Sequence, residues 1–495
     1  MNALLPSAPP PDEALIPVGT TLRVDDGVRF IERGLISGGS PWRLLRLPGR
    51  SADVVARWRE GGTVRAGEER LARTLVQQGF VYPRFEGPFL IDELDVVIPV
   101  CDDAASLTSL LAQLEGFHVT VVDDGSVNAV ELAAHVAEHG ATLVRLEENH
   151  GPAFARNAGA ANGGRPLLWF VDADVSLEGA DEIARSLQSD FADPLVGATA
   201  PRVRGADGPT RREKFEHHFG ALDLGAKSGL AVPSGAIGYV PSACLMVRRA
   251  AYGNGFDESL RSGEDVDFVW RLHDEGWLVR YRADVVVTHR ARTSWLGWWR
   301  QRERYGESSA ELSSRHGSRL APLRVDPWTL AAWGSVLLGQ PAVGARIVAS
   351  ARRHARETTF ANDDNAESVA NQVVAGNMVR AGGPLARAAV RTFGAALLLC
   401  ALHPRLRTRA LGLFVLGTAW RWRHHRIDPA DIPLAVADDL AYGAGVMHGA
   451  WKMKSLAPLT PEITKSSLSV REALGLGSST GARTASNYSN PSIDF

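Results

Sequence analysis

Four short strings, in fixed order, hold most of the residues whose types and spacing suit joint chemistry. They are VVIPV (96–100), VVDDGS (121–126), FVDADV (170–175) and SGEDVDF (262–268). Three end an apolar, β-branched run with acids, which puts carboxylates at strand tips. The fourth sets an acidic pair at a helix start. A nucleotide, a divalent cation and a general base can then meet on one edge of one sheet. That is the equipment of metal-assisted group transfer from a nucleotide-linked donor.

Asp172 and Asp174 are alternate residues of an extended segment, so their carboxylates share a face and can aim at one site. Mg²⁺ or Mn²⁺ prefers such oxygen ligands and keeps positions open for a diphosphate. His289, ending the apolar run VVVTH, is a further candidate ligand, or a satisfied core histidine. Glu264-Asp265 offers a carboxylate as general base for an attacking hydroxyl. Ser262 with Asp265 three residues on also resembles a capping box, and a capped helix start is a rigid mount. Asp267 reads as a solvated helix residue.

Asp123-Asp124 end a strand where a carboxylate can accept from a base N–H or ribose hydroxyls; the competing reading is a DG turn. Ser126 reads as a helix cap. Pro152 starts a helix whose free N–H groups suit phosphate or base oxygens. Arg156 on that helix either steadies the acids or makes a structural salt bridge. Further on, Gln301, Arg304 and Tyr305 follow Trp295, Trp298 and Trp299. This is a basic and aromatic cluster suited to sugar rings and a diphosphate, or to an amphipathic surface helix.

The elements that must position these groups are legible from periodicity. From residue 94 onward, near-continuous apolar strands alternate with helices expected at 107–114, 129–139, 152–161 and 179–189. That pattern predicts an α/β domain, a parallel or mixed sheet covered by helices on both faces, with ligands beyond the strands' carboxyl ends. Expected boundaries are a mobile leader at 1–17, a small α+β module at 18–90, the α/β domain at 91–316, a helical region at 317–455 and a disordered tail at 456–495. Within the module we expect a strand in 21–31, a helical start at Trp42, helices at 52–58 and 68–78, and Gly79 as C-cap.

The bulk numbers narrow the class. A chain of 495 residues needs two or three domains. Its 54 basic and 56 acidic residues nearly cancel, which disfavours nucleic acid as a partner. Cys101, Cys244 and Cys400 form no CxxC pair, so neither a disulfide framework nor a structural zinc is expected. No secretory signal is expected at the Pro-rich start. Residues 328–344 are uncharged over about one bilayer's worth of helix. The shorter apolar stretches 392–403 and 410–420, bracketed by Arg, suit interfacial or core helices.

The ordered set VVIPV, DDGS, DAD, GED and QRERY resembles that of inverting family-2 glycosyltransferases of the GT-A fold. QRERY is similar to the QxxRW signature of processive glycan synthases, with Tyr305 where Trp is usual. The resemblance implies Pro99, Asp123, Asp124, Arg156 and Asp172 at the nucleotide donor and Asp174, with His289, at Mg²⁺ or Mn²⁺. It further implies Asp265 as base, and Glu264, Gln301, Arg304 and Tyr305 on the acceptor and diphosphate side. With GLISGGSPWRLLRL in the small module and an apolar C-terminal region, the layout resembles the mycofactocin-system glycosyltransferases, and the module resembles PqqD-like (winged) peptide-recognition folds. The implied activity is β-1,4-glucosylation of a peptide-derived redox cofactor precursor from UDP-glucose, at the cytoplasmic side of the cell membrane. Another family-2 enzyme of cell-wall or polysaccharide synthesis, a nucleotidyltransferase, or a membrane-anchored peptide adaptor are the alternatives. A nucleotidyltransferase would need a Gly-rich, basic phosphate loop near the first strand, and Pro99-Val100-Cys101-Asp102-Asp103 offers none.

Overall fold

The computed structural model describes residues 14–32, 34–85, 90–290, 294–358, 366–425 and 427–464. The chain forms two compact units. One is Met1–Pro41 with Leu45–Trp298; the other is Trp42–Leu44 with Trp299–Phe495.

The first unit is built on a sheet of nine strands among the described residues. They are β1 (Leu94–Val100), β2 (His118–Asp124), β3 (Thr142–Leu146), β4 (Leu167–Val171), β5 (Val175–Ser176), β6 (Val196–Gly205), β7 (Gly229–Leu230), β8 (Cys244–Arg248) and β9 (Leu278–His289). Their order is β5-β9-β6-β8-β4-β1-β2-β3, with β7 also on β9. β3, β2, β1 and β4 run parallel, as do β6 and β9. β8 is antiparallel to both β4 and β6, and β5 to β9. The sheet is therefore mixed. This inversion matters for the site: β8 begins on the edge where β4 and β9 end, since Cys244 pairs Val171 and Val175 pairs His289.

Helices α1 (Ala104–Gln113), α2 (Ala129–Glu138), α3 (Pro152–Ala161), α4 (Ala180–Gln188), α5 (Arg211–Phe219) and α6 (Glu264–Asp274) accompany the strands. α3 sits close to the sheet because its inward face is small: Ala153, Ala155, Gly159 and Ala160 are buried. A methyl at Gly159 would lie 2.3 Å from Val97 Cγ1. Asp103 caps α1 by accepting from the Ser106 amide at 3.1 Å. The core centres on Val96, Ile98, Val121, Trp169, Val171 and Leu187.

The N-terminal module pairs Thr21–Val24 with Val81–Arg84 and Arg29–Glu32 with Leu35–Gly38, all antiparallel. Its helices are Gly49–Arg59 and Glu69–Gln77, and Gly79 follows the second at φ 71°. Two expectations change here. Ile16 is fully buried in the module's core, so the leader joins the fold before residue 17. Residues Arg43–Arg46 form a strand where a helix was expected at Trp42, because the run RLLR follows Pro41 without a cap. Arg73 ties the module down through two hydrogen bonds to Asp193, at 2.9 and 2.8 Å.

The second unit is helical. The apolar run 328–344 is not one long helix: Pro327–Leu337 ends at Gly339 (φ 83°), and Pro341–Glu357 starts anew. Pro cannot continue the ladder, and Gly takes the left-handed turn freely. Among the described residues, Ala366–Leu402 is long and apolar enough to cross a membrane by length and composition alone, and a third of its most apolar stretch is buried. Inside the unit, Arg302, Arg387 and Arg421 pair with Asp438 and Asp439. The expected tail begins ordered, with Glu462–Ile463 pairing parallel to Arg324–Val325. Residues 465–495 and 1–13 lie outside the described residues.

Candidate active site

The acids at the end of β2 hold backbone rather than presenting free oxygens. Asp123 is completely buried; it accepts from the Ser126 amide at 2.9 Å and is ion-paired with Arg145. Asp124 accepts from the amides of His150 (2.7 Å) and Gly151 (2.8 Å). Any contact of Asp123 or Asp124 with a nucleoside would therefore be made by a carboxylate already oriented by backbone amides. A carboxylate at a strand tip is the nearest acceptor for the unpaired amides of the following loops, and those amides have claimed it. Ser126 does not cap α2, whose N-cap is Asn128; its hydroxyl accepts from the Asp102 amide at 2.9 Å. Pro99 sits in β1 beyond Val97, the last β1 residue paired with β4, where its missing N–H costs no ladder bond on that side. Arg145 was not anticipated; an Arg in the β-strand beside Asp123 was the available signal.

The loop that Asp124 holds delivers Gly151 (φ 96°) to the start of α3, with Pro152 in the first turn as expected. One turn on, Arg156 is 3% exposed. Its Nη2 donates to Asp172 Oδ1 at 2.6 Å and its Nη1 to Glu264 Oε1 at 2.8 Å. Burial works against its charge, but the two carboxylates prevail and hold the guanidinium firmly protonated. This one side chain joins the end of β4 to the start of α6. Glu264, expected on the acceptor side, is thus fixed through its Oε1 by Arg156.

Asp172 and Asp174 straddle the tight turn between β4 and β5, where the Val175 amide donates to the Asp172 carbonyl. Asp174 Oδ2 lies 3.2 Å from His289 Nε2, and both side chains are partly open to solvent (20% and 14%). Cross-strand pairing of Val175 with His289 makes that contact. Asp172 is pushed up by burial, with Asp174 adding to the effect and Arg156 opposing it. Asp174 and His289 are thus a donor pair of one carboxylate and one imidazole, with Asp172 behind them. Among the described residues no three such groups converge in ligating geometry.

Asp265 is the second residue of α6, whose N-cap is Gly263 at φ 82° with no side-chain cap. The capping box expected from Ser262 is absent, because a left-handed Gly turns the chain into the helix instead. Asp265 accepts from the Val266 amide at 2.8 Å and from the Ser242 amide. Burial, then the neighbouring Glu264 charge, pushes it up to about 7. The Asp172 amide in turn donates to the Ala243 carbonyl at 2.9 Å. Consecutive residues leading into β8 thus grip both the DAD turn and Asp265. Nothing in the string PSAC marked that role beforehand. Asp267, expected in solvent, is 3% exposed and paired with Arg271 at 2.8 Å. Arg261 lies beside the Gly151 loop, its Nη1 3.5 Å from Asn149 Oδ1.

The tryptophan cluster divides. Trp298 is buried and donates to Glu216 Oε1 at 2.6 Å, so it is core rather than a sugar platform. Trp295 is exposed, with the Arg212 guanidinium 5.3 Å from its ring. Gln301, Arg304 and Tyr305 belong to the second unit, on the helix Trp295–His316. There Gln301 donates to the Tyr305 hydroxyl at 3.1 Å and accepts from Arg302 at 2.9 Å, and Arg304 is exposed. A separate cleft of about 290 Å³ lies near the opposite end of β9, lined by Asp25, Tyr82, Asp190, Lys227, Arg280 and Arg282. It holds none of the strand-end acids.

Known proteins share this chain's pattern. That of Glycosyl transferase family 2 matches residues 95–256, short of Asp265 and His289. The chain is 32% identical over 471 residues to the pre-mycofactocin glycosyltransferase of Mycobacterium tuberculosis, covering 90% of this chain and 98% of that one. It is 33% identical over 201 residues to the succinoglycan biosynthesis protein ExoU of Rhizobium meliloti, covering 36% of this chain and 54% of that one. Among solved structures, a mannosyltransferase from Pyrobaculum calidifontis in complex with GDP-Man and Mn²⁺ aligns with a TM-score of 0.43 at 17% identity, over 73% of this chain and 87% of that one.

Proposed function

The chain belongs to the pre-mycofactocin glycosyltransferases, family-2 enzymes of GT-A type, and from that premise we propose that it moves glucose from UDP-glucose to a peptide-derived redox cofactor precursor and extends it as a β-1,4-glucan. The observation that carries this reading is the shared grip of residues 242–243 on Asp265 and on the DAD turn. A base and a diphosphate corner on one sheet edge suit in-line displacement at an anomeric carbon.

In this mechanism the sugar diphosphate lies at the carboxyl edge, between the DAD turn and α6. Asp265, ionised, accepts the proton of the acceptor hydroxyl as that oxygen attacks. The sugar–diphosphate bond breaks on the opposite face, and the anomeric centre inverts. Arg156 keeps Asp172 and Glu264 neutralised, so Asp265 is the carboxylate left for proton transfer. Arg261, beside the Gly151 loop, is available to the leaving diphosphate. The nucleoside is read by the loop that Asp124 holds; it reaches Asp124 itself only if the His150 and Gly151 amides release it.

Asp174 and His289 would hold a hard or borderline divalent cation such as Mg²⁺ or Mn²⁺, whose preference for oxygen and imidazole donors this pair fits. Such an ion supplies charge neutralisation for the departing UDP. The apolar helical unit supports residence at the cytoplasmic face of the cell membrane.

Mass spectrometry of a peptide-derived acceptor after incubation with a panel of nucleotide sugars tests the proposal. A ladder of hexose additions with UDP-glucose alone is expected. Transfer from another donor in preference, or no acceptor shift while UDP is released, overturns the donor or acceptor assignment respectively.

A further inference from the structure

Between residues 368 and 427 the chain contains no Asp or Glu and nine Arg, in a protein whose overall charge is −2. Within this stretch Gly382–Leu402 and Arg407–His425 form an antiparallel hairpin. Gly383 packs on the Trp420 ring, and Gly417 packs on the Ala386 backbone and Val390. The near half of the hairpin is a packed core: Ala386, Arg387, Ala388, Val390, Thr392 and Gly394 are buried. Arg387, Arg391 and Arg421 there face Asp438 and Asp439.

The far half is different. The helix bends at Phe393 (φ −115°), and beyond Gly394 no residue is buried until Ala410. Ala395, Leu398, Leu399 and Leu402 follow helical spacing and are all exposed, Leu399 by 69% and Leu402 by 80%. On the returning helix Leu411, Val415 and Leu416 are exposed too, Val415 by 64%. At the turn, Arg405, Arg407 and Arg409 are exposed and make no ion pair among the described residues.

We propose that the far half of this hairpin, residues 395–416, is a docking surface for an anionic phospholipid bilayer and lies within one leaflet's interface. Its leucines sit among the upper acyl chains, and Arg405, Arg407 and Arg409 reach the lipid phosphates. Charge complementarity selects this occupant: three uncompensated guanidinium groups beside an apolar stripe, with no carboxylate in the segment, suit anionic headgroups. The packed near half decides against crossing, because it leaves only the far half clear of buried contacts. The eight residues 395–402 extend about 12 Å as helix, against a hydrocarbon core of about 30 Å. The inference deepens the membrane part of the proposed function, and its failure leaves the transferase reading untouched.

Flotation of the full chain with vesicles tests it. Wild type is expected to float with vesicles of about 30% phosphatidylglycerol in phosphatidylcholine, and at least tenfold less with phosphatidylcholine alone or at high salt. Leu399→Asp with Leu402→Asp should cut binding at least tenfold. Arg405→Gln, Arg407→Gln and Arg409→Gln together should abolish the preference for anionic lipid. Unchanged circular dichroism and UDP release in both variants keep folding and chemistry out of the result. The proposal is overturned if the Leu variant floats like wild type, or if wild type binds neither vesicle. It is equally overturned if wild type is a lipid-free dimer that the Leu variant makes monomeric, or if the turn is labelled from the opposite side of a sealed vesicle.

Discussion

Arg156 reaches Glu264 across 108 residues of sequence, and with its other nitrogen it holds Asp172. Three charges from three separate motifs thereby form one cluster, and the next residue after Glu264 is Asp265, the proposed base. Removing the cation should be felt throughout. Arg156→Met leaves the buried Glu264 and the partly buried Asp172 without their cation, and a loss of about 2–4 kcal/mol is expected. A fall in thermal midpoint and in denaturant midpoint measures it; a midpoint within a degree of wild type would contradict the bridge.

Asp265→Asn removes the base while keeping shape and the amide contacts to Val266 and Ser242. Transfer should drop by about 10²–10⁴ or more, while the UDP-glucose dissociation constant from calorimetry stays within twofold. Robust turnover by this variant would sink the assignment.

Asp265 also sets a pH dependence. With its carboxyl raised to about 7, the free enzyme is largely protonated below that value, and kcat/KM should fall on the acid side of pH 7. Because the native pKa lies above the ordinary 3.8, the native state loses stability as pH rises from about 4 to 7, and the cost is constant above that. Glu264→Gln removes the adjacent like charge, so the acid limb should move to lower pH. A limb that stays put would show that Glu264 does not perturb the base.

Asp174 and His289 should govern metal demand. His289→Ala is expected to raise the Mn²⁺ concentration for half-maximal activity by about tenfold, and Asp174→Ala by more. Direct Mn²⁺ binding by electron paramagnetic resonance in the presence of UDP reads the same change without turnover. Equal Mn²⁺ affinity in both variants and wild type would remove these residues from the cation's neighbourhood.

The close seat of α3 on the sheet gives a structural test. Gly159→Ala would press a methyl within 2.3 Å of Val97 Cγ1, and about 1–3 kcal/mol of stability should be lost. Gly164→Ala, just past the helix, is the matched control, since a methyl there meets nothing within 4 Å. Chemical denaturation of the two variants checks the figure; equal midpoints would contradict the tight seat.

By itself the sequence determined the four parallel strands 94–100, 118–124, 142–146 and 167–171, and that acids crowd the ends of three of them. Helices 129–138, 152–161 and 180–188 appear within a residue or so of their expected limits, because apolar periodicity and Pro or Gly punctuation are local properties. It also pointed to Asp174 beside His289 and to Asp265 at a helix start. The tertiary structure alone decided which partners each carboxylate has. Asp123, Asp124 and Glu264 look like Asp265 in sequence, yet Asp123 pairs with Arg145, Asp124 with the His150 and Gly151 amides, and Glu264 with Arg156. The partners of a strand-end carboxylate come from whatever loops the sheet order brings alongside. Here the antiparallel insertion of β8 brought the 242–243 backbone between the DAD turn and the base, and no spacing within a single motif encodes that neighbour.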